Sequence, residues 1–174
     1  MARTSRASNV LSPQSIKERR PFPMTVQEAY HKWLFHGPML QGIREIQGVG
    51  IDGIQARLTP SYPHQCLSDI SEGSWLIDPV IIDSGFQLVV IWARMYWDMT
   101  PLPSQCKFYR RQGHLAGKEI GCQISILPSS RGNIIHFDMS FFDTKGRLLG
   151  FIDDMEATCS KSLNRLALKE SDSA

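Results

Sequence analysis

The sequence has no C-x-x-C pair. Its four cysteines, at 66, 106, 122 and 159, stand far apart, and its five histidines are scattered. No zinc-type ligand cluster follows from that spacing, and the thiols read as reduced and partly buried, as in a cytoplasmic protein. No apolar run has the length needed to cross a bilayer, and no secretory apolar region follows the N-terminal arginines. A Gly-rich phosphate loop, a Ser-His-Asp constellation, an internal repeat and a low-complexity insertion are all lacking. Net charge is almost balanced, at +2 over 174 residues. It is unevenly placed, since Arg3, Arg6, Lys17, Arg19 and Arg20 face only Glu18 within residues 1–24. No aromatic residue is interleaved with those bases before Phe22, so no stacking platform for nucleic acid is indicated. The segment reads as a basic flexible lead-in, and residues 161–174 as a flexible tail.

What remains, residues 25–160, is long enough for one domain with a real core. Thr25 and Glu28 have capping-box spacing before a short helix over Val26–Phe35, which Gly37-Pro38 ends. Strands are expected around Ile43 and Ile46, where Gly48 and Gly50 mark a turn, and over 54–58, where Ile54, Ala56 and Leu58 alternate with polar residues. A loop over 60–74 follows. Asp78 then reads as an N-cap, with Pro79 at the first helical position and an apolar helix running to about Trp97. Four more strands are expected near 104–111, 118–127, 133–143 and 147–158. The class is therefore α+β. The pattern fits either an antiparallel sheet wrapped around the one long helix, the hot-dog arrangement, or an open sandwich with the helix on one face.

Within that helix, Asp83 is a carboxylate among Val80, Ile81, Ile82, Phe86, Leu88, Val89 and Val90. An isolated charge is costly to bury, so an acid in such a run requires a partner or a task. Gln87 lies one turn on and can fix its rotamer. Held in a dry site, such an acid can give or take a proton; pointing to solvent or pairing with a base, it is structural. His36 is the internal candidate for a base, held by the Gly37-Pro38 turn, with a backbone hydrogen bond at a strand start as its plainer role. His31 and His64 read as exposed. Trp92, Met95 and Tyr96 are candidates for an acyl tunnel or simply for core, and Lys107, Arg110 and Arg111 for an anionic partner or a solvated strand end.

The run Phe35-His36-Gly37-Pro38-Met39-Leu40-Gln41, followed some forty residues later by Asp78-Pro79-Val-Ile-Ile-Asp83-Ser-Gly-Phe-Gln87, resembles the C-terminal hot-dog half of polyketide synthase dehydratase domains. Pro101-Leu-Pro103, leading toward Tyr109, is similar to the proline stretch that follows in that family. Fungal product-template domains are near neighbours on the same double hot-dog plan. The resemblance covers about residues 28–158 and implies dehydration of a 3-hydroxyacyl chain carried on the phosphopantetheine of an acyl carrier protein, with no other cofactor. It gives Asp83 the role of general acid and Gln87 that of orienting residue. Gly37 and Pro38 of the first motif, with Pro79 and Phe86 of the helix, are the expected substrate-binding residues. Two departures stand out: His36 replaces the usual tyrosine of the first motif, and Asp78 the histidine before the helix proline.

The family's catalytic histidine, in a His-x-x-x-Gly-x-x-x-x-Pro motif of the first, N-terminal hot dog, has no counterpart, since no histidine here has Gly at i+4 and Pro at i+9. The resemblance therefore implies an acid without its recognised base. Three situations fit: a separate hot-dog subunit supplies the base, the chain is a piece of a larger synthase, or it dimerises with itself and uses another histidine. A homodimer or heterodimer is expected in either paired case. A noncatalytic acyl-binding or scaffolding hot dog, and a hot-dog thioesterase in which the helix acid activates water, are the alternatives in other function classes.

Overall fold

The structure, a computed structural model, describes residues 13–69, 72–116 and 119–167. Expectations for residues 1–12, 70–71, 118 and 168–174 lie outside the described residues. Helix α1, Val26–Lys32, starts on the reciprocal Thr25–Glu28 capping box and ends three residues before the expected Phe35. A 3-10 turn, Pro38–Leu40, leads into β1, Ile43–Gly50, and β2, Gly53–Leu58. A short α2, Pro63–Cys66, interrupts the expected loop; then α3, Pro79–Tyr96, spans the centre. Strands β3, Thr100–Gln105, β4, Phe108–Arg111, β5, Ile120–Ile126, β6, Ile134–Phe142, and β7, Leu148–Ser160, complete the domain.

Among the described residues the strands form one antiparallel sheet in the order β1-β2-β5-β6-β7-β3, with β4 also paired to β7. The sheet packs on α3, which is the hot-dog arrangement. α3 is enclosed because it is apolar nearly all round: Ile81, Leu88, Ile91 and Ala93 are fully buried, and Val89, Val90 and Trp92 nearly so. The facing strands contribute Ile54, Leu58, Ile120, Ile124, Phe137 and Met139, all essentially without exposed surface. Burying such side chains contributes about 1.5–3 kcal/mol each, which fixes the helix in its groove. The indole N–H of Trp92 donates to the Gly50 carbonyl at 2.9 Å, so its one polar atom is satisfied. Gly85 faces Met139, and a β-carbon there would collide with the Met139 thioether.

The start of α3 is fixed as the sequence implies. Asp78 is buried, accepts from Val80 N at 2.9 Å and Ile81 N at 3.2 Å, and also takes the Ser61 amide and hydroxyl at 2.7 and 2.8 Å. That second pair ties the loop before α2 to the helix N-terminus.

The single strand expected near 104–111 is two edge strands. β3 pairs with the end of β7, β4 with its beginning, and the break faces Asp154, whose φ is +46°. There β7 bulges, and the Asp154 amide donates to Asp138 Oδ1 at 2.9 Å. β3 begins at Thr100 and runs through Pro101 and Pro103, which an edge strand tolerates because its outward amides need no partner. Residues 13–24, read from sequence as a flexible lead-in, lie along the sheet: Arg20 exchanges both backbone hydrogen bonds with Val49, and Ile16 is buried. Residues 161–167, read as tail, form a 3-10 helix that buries Ala167.

Candidate active site

α3 presents Asp83 and Gln87 one turn apart on the same side. Gln87 is fully buried, whereas the Asp83 side chain keeps 32% of its surface, so the acid sits at an opening and not in the dry enclosure expected of it. Gln87 Nε2 donates to Asp83 Oδ2 at 2.7 Å and to the Leu40 carbonyl at 2.7 Å. The amide oxygen, Gln87 Oε1, accepts the Tyr30 hydroxyl at 2.7 Å, and that hydroxyl accepts the Ile43 amide at 3.1 Å. Burial pushes the Tyr30 phenol up to about 12, so it remains a protonated donor at neutral pH.

The chain leaving α1 has no regular secondary structure over residues 34–37 and carries His36 across to α3. His36 Nε2 stands 3.5 Å from Asp83 Oδ2, and its side chain is 10% exposed. The imidazole makes no backbone hydrogen bond among the described residues. It is instead stacked on Phe35 with ring centroids 4.4 Å apart, and His36 Nδ1 is buried without a partner among the described residues. Its backbone carbonyl accepts from Gln41 Nε2 at 3.1 Å, which anchors the segment. Burial lowers the His36 pKa below the ordinary histidine value, and the nearby Asp83 carboxylate opposes that only in part. The imidazole is therefore neutral at pH 7, the form that accepts a proton.

Both groups open into a cavity of about 220 Å³. Its walls are otherwise apolar: Phe35, Phe86, Val89, Val90 and Phe137 among them, with Pro101, Leu102 and Pro103 of β3 on one side. An apolar cavity of about 150 Å³ holds a benzene ring, so this one accepts a short hydrocarbon segment. An acid and a neutral imidazole side by side at the mouth of such a cavity can perform paired proton transfer on an apolar-tailed molecule.

Of the residues singled out from sequence, Asp83, Gln87, His36 and Phe86 come together here. Gly37, Pro38 and Pro79 are exposed and do not line the cavity. Trp92 is core, and Met95 and Tyr96 pack on that core away from the cavity. Lys107 is paired with Asp154, Arg110 lies over Phe108 and Phe151, and Arg111 donates to the Leu76 carbonyl at 2.7 Å. His31, His64 and His114 are exposed, and His136 pairs with Asp154 and Glu156. Sequence reading missed Tyr30, whose only signal is a tyrosine on the buried side of a short helix. It also missed Phe137 and Ala157, which read as ordinary strand core. Among the described residues no group of His, Cys, Asp and Glu is arranged to hold a metal, and no helix is long and apolar enough to cross a membrane.

The family model for the polyketide synthase dehydratase N-terminal domain matches residues 9–167, and the chain belongs to that family. This corrects the C-terminal assignment drawn from the two short motifs. A pair of short motifs samples few residues, and the match over nearly the whole chain decides. Among solved structures, the chain is similar to the dehydratase domain from the CurJ module of curacin polyketide synthase, at 13% identity and a TM-score of 0.63, over 91% of this chain and 56% of that one. It is also similar to the dehydratase domain of PpsC from Mycobacterium tuberculosis in complex with C12:1-CoA, at 17% identity and 0.63, over 86% and 56%. A third is the dehydratase domain of RzxB from Pseudomonas fluorescens, at 15% and 0.61, over 78% and 48%. At these identities the likeness establishes the fold, and the chain spans about half the length of the domains it matches. Comparison with curated proteins finds no match.

Proposed function

We propose that this domain catalyses loss of water from 3-hydroxyacyl chains borne on the phosphopantetheine arm of an acyl carrier protein, in polyketide or fatty-acid-type biosynthesis. The observation that carries this reading is the placement of His36 Nε2 3.5 Å from Asp83 Oδ2 at the mouth of an apolar cavity. Dehydration removes a proton from C2 and the hydroxyl from C3. These are adjacent carbons, so base and acid must lie within a few ångström of one another. Neutral His36 takes the C2 proton, and the electron pair of the broken C–H bond becomes the new C=C bond. Asp83 in its protonated form gives a proton to the C3 hydroxyl, which leaves as water with the electron pair of the broken C–O bond. Gln87 keeps the carboxyl in one rotamer. The cavity takes the acyl segment beyond C3, and the entropy lost in holding it there is what orients the reacting carbons.

A second reading has the base come from another hot-dog subunit or domain, in a homodimer or heterodimer. It is favoured by the chain spanning about half the length of the similar dehydratase domains. In that case His36 orients Asp83 and does not touch C2.

Loss of water from a synthetic 3-hydroxyacyl-carrier-protein, followed by mass spectrometry, tests the proposal. Turnover by the chain alone that vanishes in His36→Ala supports the internal base. Turnover only after addition of a second hot-dog protein supports the other reading. No turnover in either setting, with acyl chains still bound, leaves a noncatalytic acyl-binding hot dog. Hydrolysis of the thioester in place of dehydration identifies a thioesterase.

A further inference from the structure

Tyr30 lies on α1, 57 residues from Gln87 in sequence, yet its hydroxyl meets the amide of Gln87 inside the protein. A phenol has one hydrogen to give. Its oxygen already accepts the Ile43 amide of β1, so the hydrogen goes to Gln87 Oε1. The opposite end of the same amide meets two acceptors, the Leu40 carbonyl and Asp83 Oδ2. Both donor hydrogens and the oxygen of a fully buried side chain are thereby engaged, and the reversed amide would set oxygen against oxygen at Leu40 and Asp83.

We propose that Tyr30 is a positioning residue of this site: its hydroxyl fixes the Gln87 amide, which in turn engages Asp83 Oδ2 and leaves Asp83 Oδ1 as the oxygen that meets the reactant. Oδ2 has Gln87 on it and His36 at 3.5 Å, whereas no hydrogen bond reaches Oδ1 among the described residues. The inference rests on the dehydratase reading for its kinetic consequence alone; the assignment of the amide stands on the hydrogen bonds. Two things follow. Gln87 acts as a donor toward the acid and not as an acceptor from it. α1 and β1, which line no part of the cavity, then govern the acid through a chain of three side chains.

Tyr30→Phe keeps the ring and deletes the hydroxyl, stranding the amide oxygen of Gln87 in the interior. The side-chain amide protons of Gln87, assigned by comparison with Gln87→Leu, are followed by exchange with water in nitrogen-edited NMR. They are expected to be protected in the wild type and to exchange at least about tenfold faster in Tyr30→Phe, because the amide is then held at one end only. In turnover, kcat is expected to fall about tenfold with KM within about twofold, since the loss is one of orientation and not of binding. In the Gln87→Leu background, Tyr30→Phe is expected to change kcat by less than about twofold, because the side chain through which it acts is gone. Unchanged protection in Tyr30→Phe, or an equal loss of kcat in both backgrounds, overturns the proposal. Freely exchanging Gln87 protons in the wild type also overturn it, and that spectrum decides even if Tyr30→Phe does not fold. Absence of dehydration by the wild type defeats the dehydratase reading instead and leaves the amide measurement to decide this one.

Discussion

Gln87 Nε2 and Asp83 Oδ2 are 2.7 Å apart, one turn along α3, and the same nitrogen holds the Leu40 carbonyl. The acid is thus locked by a neighbour that is itself locked. Asp83→Asn preserves the shape and the acceptor oxygen for Gln87 but removes the ionisable proton. Its expected outcome is a native melting profile with dehydration reduced by about 10²–10⁴, the usual contribution of a positioned proton donor. Full turnover by Asp83→Asn in the mass-spectrometric assay takes the residue out of the mechanism.

His36 gives a pH dependence with a definite sign. Burial lowers its folded-state pKa below the unfolded value of about 6.5. Between those two values the unfolded chain binds the proton and the folded chain does not, so stability rises with pH across that window. The contribution is complete above the unfolded value and is lost as pH falls toward the folded one. The carboxylates with lowered values, Glu28, Asp143 and Asp154, act at more acid pH and do not obscure the window. Thermal denaturation is expected to give a lower melting temperature at pH 5 than at pH 7. His36→Asn should flatten that difference, and an unchanged slope in the variant assigns the effect elsewhere.

Asp78 tests how much the entry to α3 depends on one side chain. Replacing an N-cap costs about 0.5–2 kcal/mol, and here the same carboxylate also satisfies the Ser61 amide and hydroxyl. Losing hydrogen bonds to a buried charged acceptor costs about 1.5–3 kcal/mol more, with incomplete additivity. Asp78→Ala is therefore expected to lower the urea midpoint by the equivalent of about 2–4 kcal/mol with an unchanged slope. A loss of less than about 0.5 kcal/mol, ordinary for a surface change, contradicts the account.

The parts of this molecule written in local sequence were legible. Asp78-Pro79 marks the first turn of α3, the Asp83–Gln87 pair follows from helical spacing, and the Thr25–Glu28 box follows from a three-residue interval. β2 announces itself by the alternation of Ile54, Ala56 and Leu58 with polar residues. What was not legible depends on residues far apart in the chain. Tyr30 reaches Gln87 only through the tertiary fold, with α1 packed against β1 and the 3-10 helix at 161–167, and His36 reaches Asp83 only because the chain leaves the helical path after α1. The edge ribbon was misread for a different reason. Pro101 and Pro103 argue against a strand in general, but only pairing with β7 reveals that they occupy an edge. Which half of the dehydratase plan the chain represents was likewise hidden, because two short motifs sample few residues whereas the family match extends over residues 9–167.

Gly37 separates a structural glycine from one kept for a ligand. Its φ of −69° is open to any residue, and an added β-carbon meets nothing within 4 Å. Neither conformation nor packing requires glycine there. Gly37→Ala is expected to alter stability by no more than about 0.5 kcal/mol. If the peptide after His36 lies against the pantetheine arm, KM for the carrier-borne substrate rises while kcat is retained. Unchanged KM places the arm elsewhere.

Ala157 probes whether the cavity is the acyl site at all. It is fully buried on β7, opposite Ile135 of β6 and Pro103 of β3, and forms part of the cavity wall. Leucine at this position projects three further carbons into an apolar space of about 220 Å³, so it fills a void more than it overpacks a core. Each buried methylene contributes about 0.8 kcal/mol, offset in part by strain, so the variant should be at least as stable as the wild type. The substrate loses the volume that leucine takes. With butyryl-length and octanoyl-length 3-hydroxyacyl carrier proteins compared, Ala157→Leu is expected to raise KM for the longer chain by about tenfold, equivalent to one or two methylenes excluded from the pocket, and to spare the shorter one. Equal effects on both chains mean that the acyl group does not enter here, whatever Asp83 and His36 do at the mouth.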